Sequence, residues 1–308
     1  MKIVVLASAE RGRRCLQSLL DCADGKDDIA VFTFPEEPWE PAFVQDIKEI
    51  SKINDIDFFL TNKVHDSKYQ DFWNDGCDII FVIGWRYLIP FEIYNLAKRG
   101  CYVFHDSYLP NYRGFGPTVW SIRNGENKTG TSLFKISEKM DEGPILFQKK
   151  IMIESDDYIS DVMEKVTKEN EILIQKAYRS LVDVKVVLTE QDHKRATYTC
   201  KNIPDDFRID WSNNAIDVIN LIRSYSNPYP GAFTTLNGQK VSIFRAKMEK
   251  TQFYIGYIPG RVKSINKDGT VTVFCGDGGV LRLEEIMVDG ELSVNPSNII
   301  KSIGDTLV

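Results

Sequence analysis

A histidine and an aspartate form the most chemically capable pair in this sequence. His105 follows the apolar run CYVF (101–104), and Asp141 lies in the turn of KMDEGPIL. A carboxylate beside an imidazole orients the ring and favours its protonated form, which suits proton transfer near neutral pH. The pair therefore predicts general acid–base chemistry. Taken alone, a loop histidine is equally typical of a surface residue, and an aspartate in a glycine-containing turn is typical of a plain turn.

The segments ahead of His105 alternate between apolar strands and amphipathic helices. This alternation is typical of an α/β fold with a doubly wound, mostly parallel sheet. Ligands bind such sheets beyond the carboxyl ends of the strands, which is where His105 lies. The first strand–helix turn, ASAERGRR, lacks the Gly-x-Gly-x-x-Gly spacing, so a dinucleotide cofactor is not expected. The predicted strands of this region are 2–8, 29–34, 57–60, 77–85, 101–104, 131–137 and 144–153.

Two helices have clear start signals in the sequence. One is predicted over 90–100, between a proline at its start and a glycine at its end. A longer helix is predicted to begin at the capping residues Ser155, Asp156 and Asp157.

The pattern of the sequence changes from alternating strands and helices to short β-type runs in the last third of the chain. Residues 208–308 contain short β-type runs separated by turn pairs such as Asn237-Gly238, which predicts a small, β-rich, barrel-like domain. The expected boundaries are a catalytic domain at 1–185, a polar linker at 186–207 and the C-terminal domain at 208–308.

Composition excludes several classes of protein. The 308 residues carry a net charge of −6, whereas a general nucleic-acid surface needs basic faces. Six cysteines without a Cys-x-x-Cys pair, and only three histidines, predict reduced thiols and no metal site. No apolar run approaches the roughly 18 residues of a membrane span. The N-terminal apolar stretch is too short for a signal peptide, so we expect a cytoplasmic protein.

The loop after His105 carries an extended motif. It reads His-x-Ser-x-Leu-Pro-x-Tyr-Arg-Gly over 105–114, then Pro117, Trp120 and Thr129-Gly130, and finally Asp-x-Gly-x-Ile-Leu over 141–146. This pattern resembles the 10-formyltetrahydrofolate-dependent formyltransferases. FVIGWRYLIP (81–90) is similar to their pterin-binding loop, and residues 208–233 are similar to the start of their C-terminal domain.

The resemblance implies a reaction and a set of roles. A formyl group would pass from 10-formyltetrahydrofolate to an amine, with His105 transferring protons and Asp141 orienting it. Two short segments would bind the pterin from opposite sides: Arg86, Tyr87, Leu88 and Ile89 on one side, and Ser137, Glu138, Lys139 and Met140 on the other.

One position departs from the family pattern. The family has an asparagine two residues before the histidine, and this chain has Val103. Residues two apart in a strand share a face, so Val103 should point with His105 and cannot donate a hydrogen bond to a developing oxyanion. Three alternatives follow: His105 acts as the sole electrophile, Ser107 or a backbone N–H substitutes, or the fold serves other chemistry or only binds folate or sugar nucleotide without efficient transfer.

Two amines fit the resemblance: the methionyl group on initiator tRNA, and the amino group of a nucleotide-linked sugar. The segment FPEEPWEPAFVQD (34–46) is acidic and contains three prolines, which disfavours an RNA acceptor stem. We therefore expect an amino-sugar nucleotide of the kind used for bacterial surface polysaccharide such as the O-antigen of lipopolysaccharide.

The acceptor pocket and its partners follow from that expectation. A diphosphate needs cations, for which Arg113 and Arg86 are candidates, and a structural role is the alternative for Arg113. A homodimer through the C-terminal domain is a further expectation. The predicted substrate-binding residues are Ser107, Tyr108, Arg113, Gly114 and Pro117.

Overall fold

The structure is a computed structural model that describes residues 1–23, 25, 27–38, 40–183 and 186–308. Trp39, in the acidic 34–46 segment, lies outside the described residues. The chain divides into two units. The first unit comprises 1–117, 129–152 and 163–199, and the second comprises 118–128, 153–162 and 200–308.

The first two thirds of the chain begins with an alternation of strands and helices. Its elements are β1 (Lys2–Ala7), α1 (Ala9–Cys22), β2 (Asp28–Thr33), α2 (Val44–Ile53), β3 (Asp57–Leu60), α3 (Gln70–Asn74), β4 (Ile79–Ile83), α4 (Phe91–Tyr94), β5 (Cys101–His105), β6 (Arg113–Gly114), α5 (Pro117–Arg123), β7 (Lys128–Lys135), β8 (Ile145–Met152), α6 (Ile159–Val182) and β9 (Tyr198–Thr199).

Seven of these strands form the sheet that carries His105, in the order β3-β2-β1-β4-β5-β7-β8. The pairs from β3 to β5 are parallel, and β5 pairs with β7 in the antiparallel sense. The predicted doubly wound α/β fold is confirmed, with a mixed rather than purely parallel sheet.

Helices cover both faces of this sheet. On one face Cys15, Leu16 and Leu19 of α1 pack with Leu173 and Ala177 of α6 in one buried cluster. On the other face a second buried cluster joins strand residues to α3 and α4; it contains Val4, Leu6, Val82, Trp73 and Ile93. The second face is the one to which Val103 belongs.

Two predicted helix boundaries are wrong. The helix expected over 90–100 ends at Tyr94, because Cys77 donates its N–H to the carbonyl of Leu96 and accepts the N–H of Lys98. This tertiary pairing draws the chain out of the helical path. The long helix starts at Ile159 rather than at Ser155, and Asp157 accepts the N–H of Glu154 in the turn that precedes it.

The second unit contains an antiparallel sheet. Its elements are α7 (Ala215–Ser224), β10 (Ala232–Leu236), β11 (Gln239–Glu249), β12 (Val262–Ile265), β13 (Val271–Phe274), β14 (Val280–Val288) and β15 (Glu291–Ser293). The strand order is β10-β11-β14-β13-β12, with β15 on β14. Asn237 and Gly238 both have positive φ in the β10–β11 turn, as a tight hairpin requires.

The C-terminal residues join the two ends of this strand order. Val308 exchanges two backbone hydrogen bonds with Thr235 on β10, and the N–H of Leu307 bonds to the carbonyl of Gly260 just before β12. The prediction of a β-rich, barrel-like second region is therefore confirmed. The exact domain boundaries given above stay a prediction. In the described part of the chain, no helix combines the length and apolar character that a membrane crossing needs.

Candidate active site

His105 is the last residue of β5 and lies opposite Ser132 of β7. Its side chain is almost fully buried. The Nε2 atom lies 2.8 Å from the carbonyl oxygen of Tyr112. Because a carbonyl oxygen only accepts, this bond requires the proton on Nε2. The other ring nitrogen, Nδ1, lies 3.6 Å from Oδ2 of Asp141. The structure thus brings together the two residues that the sequence paired.

Asp141 lies in the connection between β7 and β8 with φ of 53°, a left-handed conformation that aspartate tolerates better than most residues. Its Oδ2 accepts the N–H of Gly114 at 2.8 Å. Two residues later the backbone approaches β7 so closely that a Cβ on Gly143 would lie 1.7 Å from the carbonyl oxygen of Lys135. Only glycine fits there, and this close approach fixes the turn that presents Asp141 to His105.

The loop after His105 is held by its own hydrogen bonds. Ser107 donates its hydroxyl to the carbonyl of Asn111 at 2.7 Å, and its N–H bonds to the carbonyl of His105. The N–H of Leu109, which precedes a cis proline, donates to Ser132. Since the Ser107 hydroxyl proton is already engaged, this geometry argues against Ser107 as the substitute for the family asparagine.

Val103 lies in an apolar surrounding. It is half-buried and packs against Leu109, Phe134 and Ile145. Strand alternation places it on the same face as His105. The position from which the family asparagine would donate is therefore filled by a side chain adapted to apolar neighbours.

Two loops flank the face that carries Val103. The first follows β4 and contains Arg86 to Ile89, and the second joins β7 to β8 and contains Ser137 to Met140. Ile89, Val103 and Ile136 pack against the same buried cluster, which brings the two loops to one side of the sheet. Their role in pterin binding stays a prediction.

The tips of these two loops carry exposed apolar side chains. Tyr87, Leu88 and Met140 are 41%, 93% and 53% exposed. Arg86 forms an ion pair with Glu40, and Lys139 lies 3.8 Å from Glu142. Ser137 donates its hydroxyl to the carbonyl of Lys139, and Glu138 is exposed.

Arg113 differs from the expectation that it binds a diphosphate. Its side chain is completely buried. Nε and Nη2 donate to Oε1 of Gln191, Nη1 donates to the hydroxyl of Tyr198, and Nη1 also lies 3.3 Å from Glu142. A guanidinium engaged in this way is not available to a ligand, so the geometry favours the structural role that the sequence left as an alternative.

Gly114 and Pro117 also serve the loop backbone. Gly114 has φ of 104°, and a Cβ there would lie 2.4 Å from the carbonyl oxygen of Thr199. Pro117 is buried at the start of α5. The ring of Tyr108 lies 4.9 Å from Nζ of Lys150, and the neighbouring Asp106 forms an ion pair with Arg11.

Three buried polar atoms that have no hydrogen-bond partner among the described residues lie at the carboxyl ends of three adjacent strands. They are Ser8 Oγ after β1, Thr33 Oγ1 at the end of β2 and Trp85 Nε1 after β4. A buried polar atom without a partner is costly, so such atoms are suited to a polar ligand. The sequence did not single them out, because serine and threonine at strand ends are common.

Cysteine chemistry is not part of this site. Burial raises the pKa of the thiols of Cys15 and Cys101, and it raises that of Cys77 to about 11. These thiols stay protonated at neutral pH and are poor nucleophiles.

Sequence reasoning missed Gln191 and the contact of the Tyr112 backbone with His105. Gln191 lies in the polar stretch that was predicted to be a linker, yet its side chain is buried and contacts the Asp141 turn. Tyr112 belongs to the motif at 105–114, but it contacts His105 through its backbone carbonyl, which every residue has, so the sequence gives no signal for this contact.

Comparison with known proteins matches both parts of the chain to one family. Residues 1–178 match the family described as "Formyl transferase", and residues 202–304 match "Formyl transferase, C-terminal domain".

Individual proteins agree with that match. The chain is 28% identical over 295 residues to a methionyl-tRNA formyltransferase of Alkaliphilus oremlandii, covering 94% of this chain and 93% of the relative. It is 30% identical to the methionyl-tRNA formyltransferase of Kosmotoga olearia, again covering 94% of this chain and 93% of the relative. Among solved structures, the N-formyltransferase of Helicobacter canadensis in complex with folinic acid and dTDP-3-aminofucose superposes with a TM-score of 0.68 at 16% identity. That match covers 92% of this chain and 98% of the other.

Proposed function

Because the chain belongs to the formyl transferase family and is a formyl-transferring enzyme, we propose that it moves a formyl group from 10-formyltetrahydrofolate to a nucleotide-linked amino sugar. The donor is proposed because the Helicobacter canadensis neighbour was crystallised with folinic acid, a formylated folate. The exposed apolar tips at Leu88 and Met140, on either side of the Val103 face, fit a flat ring system. We propose a role in the synthesis of bacterial surface polysaccharide because nucleotide-linked amino sugars are used there.

The residues of this chain would act on the transferred group as follows. The acceptor amine attacks the formyl carbon, a C–N bond forms, and negative charge develops on the formyl oxygen. Neutral His105, with its own proton on Nε2, takes the proton lost by the amine on Nδ1, and the imidazolium formed in this way stabilises the charge on the formyl oxygen while Asp141 stabilises the imidazolium. The same Nδ1 proton then passes to the departing folate nitrogen as its bond to the formyl carbon breaks. Because Val103 stands where the family has an amide donor, we assign His105 as the side chain that stabilises the charge on the formyl oxygen.

The single observation that carries the choice of acceptor is the segment that follows β2. From Pro35 to Ile47 the chain has three glutamates, one aspartate and no lysine or arginine. Glu40 of this segment pairs with Arg86 in the loop after β4. Phosphates of an acceptor stem are held by cations, so this side of the first unit suits a small acceptor better than RNA. The unpartnered Ser8 and Thr33 hydroxyls would donate to that acceptor.

The second candidate is transfer to methionyl-tRNA. The curated relatives with 28% and 30% identity are methionyl-tRNA formyltransferases, and they match the chain over nearly its whole length. A third candidate is a protein that binds folate or sugar nucleotide without efficient transfer. Its basis is the apolar surrounding of Val103.

A parallel acceptor assay separates these candidates. The protein is incubated with the folate donor and, in separate reactions, TDP- or UDP-linked amino sugars or charged initiator tRNA. We expect a sugar nucleotide to gain the mass of one formyl group with release of tetrahydrofolate. Formylation of the charged tRNA alone would contradict the proposal. Ligand binding without turnover on any acceptor would favour the third candidate.

The cellular setting and the assembly are proposals of the same kind. We place the reaction in the cytoplasm, where thiols such as the free Cys15 and Cys101 stay reduced. The homodimer through residues 208–308 stays a prediction.

A further inference from the structure

Residues 191–199 contact Asp141 directly and contact His105 through Tyr112. This segment, called the 191–199 strap here, begins at the buried Gln191 and ends with β9, which pairs with β6 in the parallel sense. It lies in the first unit together with His105 and Asp141.

At one end of the strap, Gln191 holds the turn that carries Asp141. Its Nε2 donates to the carbonyl oxygen of Asp141 at 2.8 Å and to that of Gly143 at 2.7 Å. Its Oε1 accepts two hydrogen bonds from Arg113, at 2.8 and 3.2 Å. Gln191 thus connects the carbonyls of Asp141 and Gly143 to the guanidinium of Arg113, which is itself fully buried.

At the other end of the strap, Thr197 holds the residue that contacts His105. Oγ1 of Thr197 accepts the N–H of Tyr112 at 2.8 Å, and the carbonyl of Thr197 accepts the N–H of Arg113 at 2.9 Å. Tyr112 has φ of 58°, a costly conformation for a tyrosine that persists only when surrounding contacts hold it. Its carbonyl then receives the Nε2 proton of His105.

The choice of side chain at 191 supports a positioning function. A glutamate beside a buried arginine would make the stronger ion pair, but a carboxylate cannot donate to the two turn carbonyls. An amide accepts from Arg113 and donates to both turn carbonyls at the same time, which a single hydroxyl, with one proton, cannot do. Gln191 therefore joins the contact with Arg113 to the contacts with the Asp141 turn.

We infer that the 191–199 strap is the element that sets the geometry between His105 and Asp141, with Gln191 and Arg113 as positioning residues. This inference rests on the proposed function, because the pair matters only if it performs the transfer. Neither side chain touches the reacting atoms. The strap acts by keeping Oδ2 of Asp141 facing Nδ1 of His105 while Nε2 stays on the Tyr112 carbonyl.

Two variants test the inference. Gln191→Glu keeps the contact with Arg113 and removes both donations to the turn, and Gln191→Met removes all contacts with similar bulk. Since a misplacement of about 1 Å can lower a rate about 100-fold, we expect kcat to fall roughly 10- to 100-fold in both variants. KM for donor and acceptor should stay within about threefold, since the change acts on the transition state. Glu190→Gln, an exposed neighbour, is the matched control and should stay within about twofold of the parent kcat.

A spectroscopic measurement gives a second readout that needs no acceptor. The chain has three histidines, so histidine-selective 15N NMR resolves each ring, and His105→Gln assigns the signal of interest. We expect the parent protein to show the proton on Nε2 of His105, and Gln191→Glu to shift both ring nitrogens while Glu190→Gln leaves them unchanged.

The outcomes are distinct. A folded Gln191→Glu protein with parental kcat and unchanged ring signals would overturn the inference, as would a loss confined to KM or to the folded fraction. If the parent protein formylates no acceptor, the proposed function fails, and the ring signals still decide whether the strap sets the geometry.

Discussion

The two sides of the candidate active site differ in how their polar groups are engaged. On one side, Asp141, Arg113 and Gln191 are tied to one another and to backbone carbonyls and amides. On the other side, the loops at 86–89 and 137–140 expose Leu88 and Met140 to solvent. The first side is held in place by hydrogen bonds within the protein, as a group that moves protons needs to be. The second offers apolar surface that a ligand would cover.

This contrast predicts that substitutions on the first side change kcat and that those on the second change KM. The sharpest case is His105→Ala. We expect kcat to fall by at least about 10³-fold, at the upper end of general acid–base contributions, because proton transfer and charge stabilisation are both lost. The measurement is tetrahydrofolate release under saturating substrates. His65→Ala, which removes an exposed histidine, is the matched control. Parental rates in a folded His105→Ala protein would refute the assignment of His105.

Asp141→Asn should have the next largest effect. The amide oxygen can still accept the N–H of Gly114, but the charge facing Nδ1 of His105 is gone. We expect kcat to fall about 100-fold with little change in KM, because the imidazolium loses its partner in the transition state. Steady-state kinetics beside Asp183→Asn, an exposed carboxylate, checks this. An unchanged kcat would show that the 3.6 Å separation has no catalytic consequence.

Val103→Asn tests the departure from the family pattern. The new amide can donate to the formyl oxygen, so we expect kcat to rise about tenfold, less than the full value of an oxyanion donor. Placing an amide among Leu109, Phe134 and Ile145 should lower the free energy of unfolding by about 1–3 kcal/mol. Urea unfolding and kcat are measured on the same preparation. A folded variant without a rate gain would mean that position 103 does not face the transferred group.

Leu88→Ala should have the smallest effect and the opposite kinetic signature. Losing part of the apolar surface that a pterin covers should raise KM for the folate donor about three- to tenfold, with kcat unchanged. Ile53→Ala removes another highly exposed apolar side chain, at the end of α2, and serves as the control. A fall in kcat without a change in KM would remove the distinction between the two sides.

The sequence predicted the sheet, the carboxyl-end location of His105 and its pairing with Asp141, because strand periodicity and the family motif are local signals. It could not predict that Arg113 is fully buried, since burial depends on the distant Gln191 and Tyr198. For the same reason the length of the helix predicted over 90–100 was overestimated. The hydrogen bond with Cys77 that ends this helix comes from another part of the chain. Glutamine in a polar stretch gives no sign of a buried amide that bridges two carbonyls.

The central claim is that the formyl donor lies between the two loops with its reactive carbon at His105. A crystal structure with a non-reactive 10-formyltetrahydrofolate analogue tests it most directly. We expect the pterin to lie between residues 86–89 and 137–140, with the formyl carbon about 3–4 Å from the nearest ring atom of His105, as a reacting geometry requires. An analogue bound elsewhere, or bound there with its formyl carbon turned away from His105 and Asp141, would contradict the account.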